Sequence, residues 1–214
     1  MSLDTIYDAV LRGDAKTATA DTQAALDDGV NPNEILHEAC IPAMTEVGRL
    51  FEAGDKFIPE MMIAARAMQS AVDILKPLIL EEDVEVVGTI VLGTVAGDLH
   101  DIGKNLVGMM MEGAGFEVID LGINTDAETY IAALKEHRPN ILGMSALLTT
   151  TMPYMKVVID TLVEQGLRDD FIVMVGGAPL NEEFGQAVGA DAYCRDAATA
   201  VEVAKKLILE QRAS

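Results

Sequence analysis

Apolar positions in roughly the first eighty residues recur every three to four places, the spacing of one helix face. Leu3, Ile6, Tyr7 and Val10 form one such stripe. Gly13-Asp14 breaks it, and Asp14 is placed to cap a second helix ending near Gly29. Asn31-Pro32-Asn33-Glu34 is a helix start, with a capping Asn, Pro at the first helical position and Glu at the third. That third helix carries Ile35, Leu36, Ala39, Cys40, Ala43, Val47 and Leu50, and Pro42 is expected to bend it. Pro59 opens a fourth helix through Met61, Met62, Ala65, Met68, Val72 and Leu75. Four helices on short loops predict a small bundle over residues 1–82.

The acidic run Glu81-Glu82-Asp83 reads as a linker, and after it the pattern changes. Continuous apolar runs of strand length lie at 86–92, 116–121, 141–146 and 171–175, with a weaker one at 190–194. Helical patterns lie at 104–112, 127–137, 152–165, 181–188 and 197–210. Apolar strands alternating with helices predict a parallel sheet covered on both faces. Residues 86–214 are therefore expected to be α/β: a flavodoxin-like, doubly wound sheet of five parallel strands. No internal repeat or low-complexity tract interrupts this order.

Charge removes several function classes. Fifteen basic residues against 35 acidic ones leave a net charge of −20, which opposes nucleic acid and anionic membranes as partners. Such charge serves solubility, or steers docking onto a basic partner. The two cysteines, Cys40 and Cys194, form neither a Cys-x-x-Cys pair nor a disulfide framework. The N-terminal MSLDTIYDAV lacks the basic flank and apolar run of a signal peptide, and no apolar stretch approaches a membrane span. A cytoplasmic location is the expectation.

In a doubly wound sheet, ligands bind beyond the carboxyl ends of the strands. Those ends hold the polar and glycine-rich segments: Gly93 to Asn105, Ser145 to Thr151, and Gly176-Gly177-Ala178-Pro179. His100 stands in the first, two places after Asp98. A metal-binding imidazole needs its second ring nitrogen fixed, usually by a carboxylate, and Asp98 could supply it with Thr151 orienting the carboxylate in turn. Asp98 and His100 could equally cap the helix that begins after Gly103. One His and one carboxylate are too few ligands for zinc or non-haem iron, and His37 and His137 fall on helices elsewhere. A single protein ligand suits a metal whose equatorial positions a macrocycle already fills. Gly97 and Gly103 permit close backbone approach, and Gly176-Gly177 could let a ligand pass over the main chain or simply shape a turn.

The segments Asp98-Leu99-His100-Asp101-Ile102-Gly103, Ser145-Ala146-Leu147 and Gly176-Gly177 occur in order, each after a predicted strand. Together they resemble the Asp-x-His-x-x-Gly, Ser-x-Leu, Gly-Gly signature of cobalamin-binding domains. The stretch Gly54-Asp55-Lys56-Phe57-Ile58-Pro59-Glu60-Met61, and the residues 65–68 after it, resemble the helical cap of the same family. The resemblance covers nearly the whole chain. It is greatest to the two-domain corrinoid proteins of methyltransferase systems serving methanol, methylamines, glycine betaine and aryl methyl ethers.

The resemblance implies cobalamin or a related corrinoid, in hydroxo or methyl form, with His100 as the lower ligand of cobalt. Asp98 would hold His100, and Thr151 takes the place of a serine in the relay of methionine synthase. Gly97, Asp101, Ile102 and Gly103 would form the rest of the loop. Ser145, Leu147 and Thr149 would line the channel of the displaced nucleotide tail, and Gly176, Gly177 and Ala178 would lie along it. Tyr193, Cys194 and Asp196 would close its far end. Phe57, Met61, Met62 and Ala65 are candidates for an apolar lid over the methyl face, with helix packing as the other reason for a Met stripe.

The implied role is methyl carriage between Co(I) and methyl-Co(III), by a subunit without a complete active site of its own. Its implied partners are a substrate-specific methyltransferase, a second methyltransferase serving folate or a thiol, and a reductive activation protein. The alternative is a non-catalytic cobalamin sensor, storage or delivery module. A DNA-binding regulator conflicts with the charge, and the cap argues against a detached mutase subunit. A receiver domain would need an Asp where strand three ends in Ser145.

Overall fold

A computed structural model describes residues 3–75, 78 and 86–213. The expected linker at Glu81-Glu82-Asp83 lies outside the described residues. The chain separates into two compact units, Met1–Val86 with Gly113–Gly115, and Val87–Glu112 with Phe116–Ser214.

In the helical unit, α1 (Leu3–Arg12) is followed by α2 (Ala15–Asp27). Asp14 caps α2, accepting from the Thr17 amide at 3.1 Å and the Thr17 hydroxyl at 2.7 Å. Asn31 caps α3 (Pro32–Ile35), accepting from the Asn33 amide at 2.8 Å. The chain then passes through a π-helical turn, Leu36–Cys40, into α4 (Ile41–Glu52). This irregularity lies just before Pro42, where the sequence predicts a bend. Pro42 has no amide hydrogen and its ring crowds the preceding turn, so the helix widens there. The Ile41 amide reaches back five residues, to the Leu36 carbonyl. The last helix of the unit is α5 (Ile58–Leu75), whose first turn is tied by the Phe57 amide donating to Glu60 Oε2 at 2.9 Å. Ile6, Val10, Ala18, Ala25, Ile35, Ala39, Val47, Ala64 and Ala71 are buried, and the small residues let the helices approach closely.

The second unit alternates strand and helix: β1 (Gly88–Thr94), α6 (Ile102–Gly113), β2 (Phe116–Asp120), α7 (Ala127–His137), β3 (Ile141–Ser145), α8 (Tyr154–Glu164), β4 (Ile172–Gly176), α9 (Glu182–Val188), β5 (Ala192–Cys194) and α10 (Ala197–Ala213). All strand pairs are parallel and the order is β2-β1-β3-β4-β5, the doubly wound arrangement expected. Val91, Leu142, Met144, Val173 and Val175 pack against Tyr130 and Leu134 of α7 and Val158 and Leu162 of α8.

β1 is displaced from the expected 86–92. Its ladder begins where Gly88 meets Phe116 and continues to Thr94 opposite Ser145. The apolar run cannot reveal this, because Val86 and Val87 have strand chemistry without a strand partner. The chain leaves β1 toward β2 on one side, then returns to β3 on the other. The loops after β1 and β3 consequently open beside each other, the point at which doubly wound sheets bind ligands. Among the described residues, no helix is long and apolar enough to cross a membrane.

Candidate functional site

The Asp98 carboxylate joins those two loops. It is fully buried and accepts from both sides. Oδ1 accepts from the His100 amide at 3.1 Å and lies 2.7 Å from His100 Nδ1. Oδ2 accepts from the Thr151 hydroxyl at 2.6 Å and from the amides of Leu147 at 2.8 Å and Leu148 at 3.3 Å. Burial by itself would raise the Asp98 pKa. Hydrogen bonds from Thr151, Leu147 and His100 outweigh it and hold the carboxyl well below its ordinary range.

An ionised Asp98 accepts the Nδ1 proton of His100. This fixes the tautomer whose Nε2 lone pair is free to bind a metal. The His100 side chain is 48% exposed, so its outer edge is open. The second possibility raised by the sequence, a helix cap, does not describe these contacts. The Asp98 oxygens are engaged by His100 and the β3 loop, while α6 opens with the Asn105 amide on the Asp101 carbonyl at 2.7 Å.

The His100 loop and the loops bonded to it expose apolar side chains that solvated loops would not favour. Leu99 is 68% and Ile102 71% exposed, with Ile123, Leu147 and Leu148 also exposed. Among the described residues, no three His, Cys, Asp or Glu side chains gather to hold a metal ion. The donor set is one aimed imidazole within an apolar rim. That fits a metal carried in a flat organic ring and does not fit a bare ion.

The other predicted site residues are distributed along the same sheet edge. The Ser145 carbonyl accepts from the Val95 amide at 3.0 Å, and the Ala146 amide donates to Gly176 at 3.2 Å. A Cβ on Gly177, which has φ +138°, would lie 1.8 Å from the Ala146 carbonyl oxygen. The β4 loop therefore crosses the β3 loop main chain to main chain. Thr149 and Ala178 are exposed, Gly97 and Asp101 lie exposed in the β1 loop, Gly103 is exposed in the first turn of α6, and Tyr193 is half-buried. Burial pushes the Cys194 thiol up to about 12, so it stays protonated. Asp196 serves α10: it accepts from the Thr199 amide at 2.8 Å and pairs with Arg195 at 3.0 Å. In the helical unit, Phe57 is 66% exposed and Met62 half-buried, whereas Met61 and Ala65 are buried. The four lid candidates therefore do not share one open face.

Sequence reasoning missed Lys104. Its ammonium is buried and bonds both Asp120 oxygens at 2.6 Å and Asn105 Oδ1 at 2.7 Å. It ties the first turn of α6, just after the His100 loop, to the end of β2. The visible signal was a lysine in the first turn of a largely apolar helix. Lys104→Met is expected to lower stability by about 1–3 kcal/mol in urea unfolding. The half-exposed Asp120 carboxylate can rehydrate, which limits the loss. A change below about 0.5 kcal/mol would mean the pair is no more useful than a surface ion pair.

Comparisons with known proteins place the chain in a family. Residues 88–205 match the family described as "B12 binding domain", and residues 2–76 match a second family of that description. Dimethylamine corrinoid protein 1 of Methanosarcina acetivorans is 43% identical over 180 residues, 84% of each chain. A cobalamin-binding protein from Desulfitobacterium hafniense superposes with a TM-score of 0.78 at 35% identity, covering 96% of this chain and 98% of that one. The methanol:cobalamin methyltransferase complex of Methanosarcina barkeri superposes with a TM-score of 0.88 at 32% identity, covering 97% of this chain and 79% of that one. With a doubly wound sheet, an imidazole held through Nδ1 at its carboxyl edge and these relatives, the chain belongs to the family of B12-binding corrinoid proteins.

Proposed function

We propose that this chain is the methyl-carrying corrinoid subunit of a methyltransferase system, with His100 Nε2 as the lower ligand of cobalt. The observation that carries the ligand assignment is the Nδ1–Asp98 contact at 2.7 Å, which leaves Nε2 as the outward nitrogen. When bound, the corrinoid supplies a cobalt that accepts and gives up a methyl group as it alternates between Co(I) and methyl-Co(III). The protein's own part is positional. Asp98 and Thr151 hold the imidazole, and Leu99, Ile102, Leu147 and Leu148 offer apolar surface to the macrocycle. The glycines at the β4 end bring the β3 and β4 main chains together beneath the path proposed for the nucleotide tail, beside Ser145 and Thr149.

The names of the similar proteins support the methyl-carrier reading: dimethylamine corrinoid proteins, and a methanol:cobalamin methyltransferase complex. The partners would be a substrate-specific methyltransferase, a second methyltransferase serving folate or a thiol, and a reductive activation protein. The acidic surface, at a net charge of −20, suits electrostatically guided, short-lived docking with each.

Reconstitution with hydroxocobalamin tests the core of this reading. The wild type is expected to retain stoichiometric corrinoid after desalting, and His100→Ala should show an altered axial-ligand signature in its visible spectrum. Identical spectra from the two proteins would remove His100 from cobalt. No retention by the wild type would remove the corrinoid role altogether.

A further inference from the structure

The loop carrying Asp98 and His100 is gripped from two sides, and only one grip is the Asp98 carboxylate. The other comes from Asn124, in the loop after β2. Its amide donates to the Asp98 carbonyl at 3.0 Å, and its Oδ1 accepts from the Gly97 amide at 2.7 Å. One residue thus pins both ends of the Gly97–Asp98 dipeptide. It can do so because its backbone is left-handed, with φ 53°. That conformation turns amide and side chain to the same neighbour, and Asn tolerates it better than most residues.

The surrounding bonds show that this is a built brace. The Thr125 amide donates to the Thr94 carbonyl at 2.9 Å, and the Thr94 amide donates to the Gly122 carbonyl at 2.9 Å. The Thr94 hydroxyl donates to the His100 carbonyl at 2.9 Å. Lys104 and the Gly122 amide, at 2.8 Å, both bind Asp120 below. The 121–125 segment is therefore a fixed platform, and Asn124 is the part of it that reaches the Asp98 main chain. The Asp98 carboxylate is held at the β3 loop and its carbonyl at Asn124, so the residue that orients the imidazole is fixed at both ends.

We propose that Asn124 is a positioning residue for the metal-facing imidazole: by bracing Gly97–Asp98 it sets where His100 Nε2 points. The inference rests on His100 being the cobalt ligand, but the brace can be tested without cobalt.

Three variants separate its parts. Asn124→Gly keeps the left-handed backbone and removes the Oδ1 acceptor. Asn124→Ala removes the acceptor and disfavours the backbone. Asn124→Asp keeps both an acceptor and a tolerated backbone. In the apo protein, amide hydrogen exchange at Gly97 should quicken by about tenfold in the Gly and Ala variants and stay near wild type in the Asp variant. In the reconstituted Co(II) form, histidine labelled with 15N should convert a three-line nitrogen splitting in the electron paramagnetic resonance spectrum to two lines. That change reports imidazole ligation from the protein. The ratio of His-ligated to unligated cobalt should fall about three- to tenfold in the Gly and Ala variants, with rescue by Asp.

Wild-type exchange and wild-type ligation ratios in the Gly and Ala variants would overturn the proposal while leaving His100 as ligand. Equal losses in all three variants, together with a lower apo unfolding midpoint, would reduce Asn124 to a fold residue and also overturn it. Absence of the two-line signal in the labelled wild type would instead overturn the His100 assignment. The exchange result would then still decide whether the brace exists.

Discussion

Asp98→Ala is expected to destabilise the apo protein by about 3–5 kcal/mol and to leave His100 without a fixed orientation. The carboxylate serves five donors, the amides of His100, Leu147 and Leu148, the Thr151 hydroxyl and His100 Nδ1, and no water reaches it. Removing it leaves several of these groups buried and unpaired, and the loss of such partners is what makes buried networks costly to break. Asp98→Asn should recover little, because one of its two atoms becomes a donor that faces donors. Urea unfolding of the three proteins measures the difference, and a loss under about 1 kcal/mol would mean that the loops find other partners.

The same group predicts an acid dependence. Its pKa is lower in the folded protein than in the unfolded chain, so its stabilisation is complete above the ordinary carboxylate value of about 3.9 and is lost as pH falls below it. The wild type should therefore lose stability more steeply than Asp98→Ala in that acid window. A constant gap between the two proteins from neutral pH down through that window would contradict the depressed value.

Gly177→Ala is the second large effect. The new methyl would sit 1.8 Å from the Ala146 carbonyl oxygen, at a φ of +138° that L side chains rarely adopt. The clash is with main chain, so no rotamer change relieves it; the β3 and β4 loops must separate. A loss of about 3 kcal/mol or more is expected, seen as a lower urea midpoint or as insoluble protein. Where enough folds, corrinoid retention should also drop, since the parted loops are those proposed to flank the nucleotide tail. An alanine variant with wild-type midpoint and retention would show that the crossing is not needed.

Much of this architecture is legible in the residues, for identifiable reasons. Apolar runs locate the strands because a parallel sheet buried on both faces has no polar side to blur them. The caps at Asp14 and Asn31 are read correctly because a cap is a local bond between near neighbours. What the residues hide is what depends on distant partners. The start of β1 is set by Phe116 across the ladder, and the hydropathy of Val86 and Val87 says nothing of that. Thr94 is polar and wholly buried because its hydroxyl serves the His100 carbonyl.

The site divides along the same line. The grouping of Asp98, His100 and Thr151 can be anticipated from the sequence because it is made by their side chains. Three of the five donors to Asp98 are main-chain amides, which have no residue signature. Lys104 and Asn124 act through folded proximity to Asp120 and Gly97, and as letters in the sequence they look like an ordinary helix lysine and a turn asparagine.

The Thr151 hydroxyl meets Asp98 across 53 residues of chain. On a ribosome adding about 5–20 residues per second, the second half of that contact emerges roughly 3–10 s after the first. During that interval the nascent chain already displays its histidine, yet lacks the clamp that aims it. On the proposed assignment of His100 to cobalt, corrinoid loading with a protein ligand would come no earlier in biosynthesis than the arrival of β3 and its loop. Arrested chains ending shortly before Thr151 should fail to give a histidine-ligated cobalt, whereas chains extended well past it should succeed.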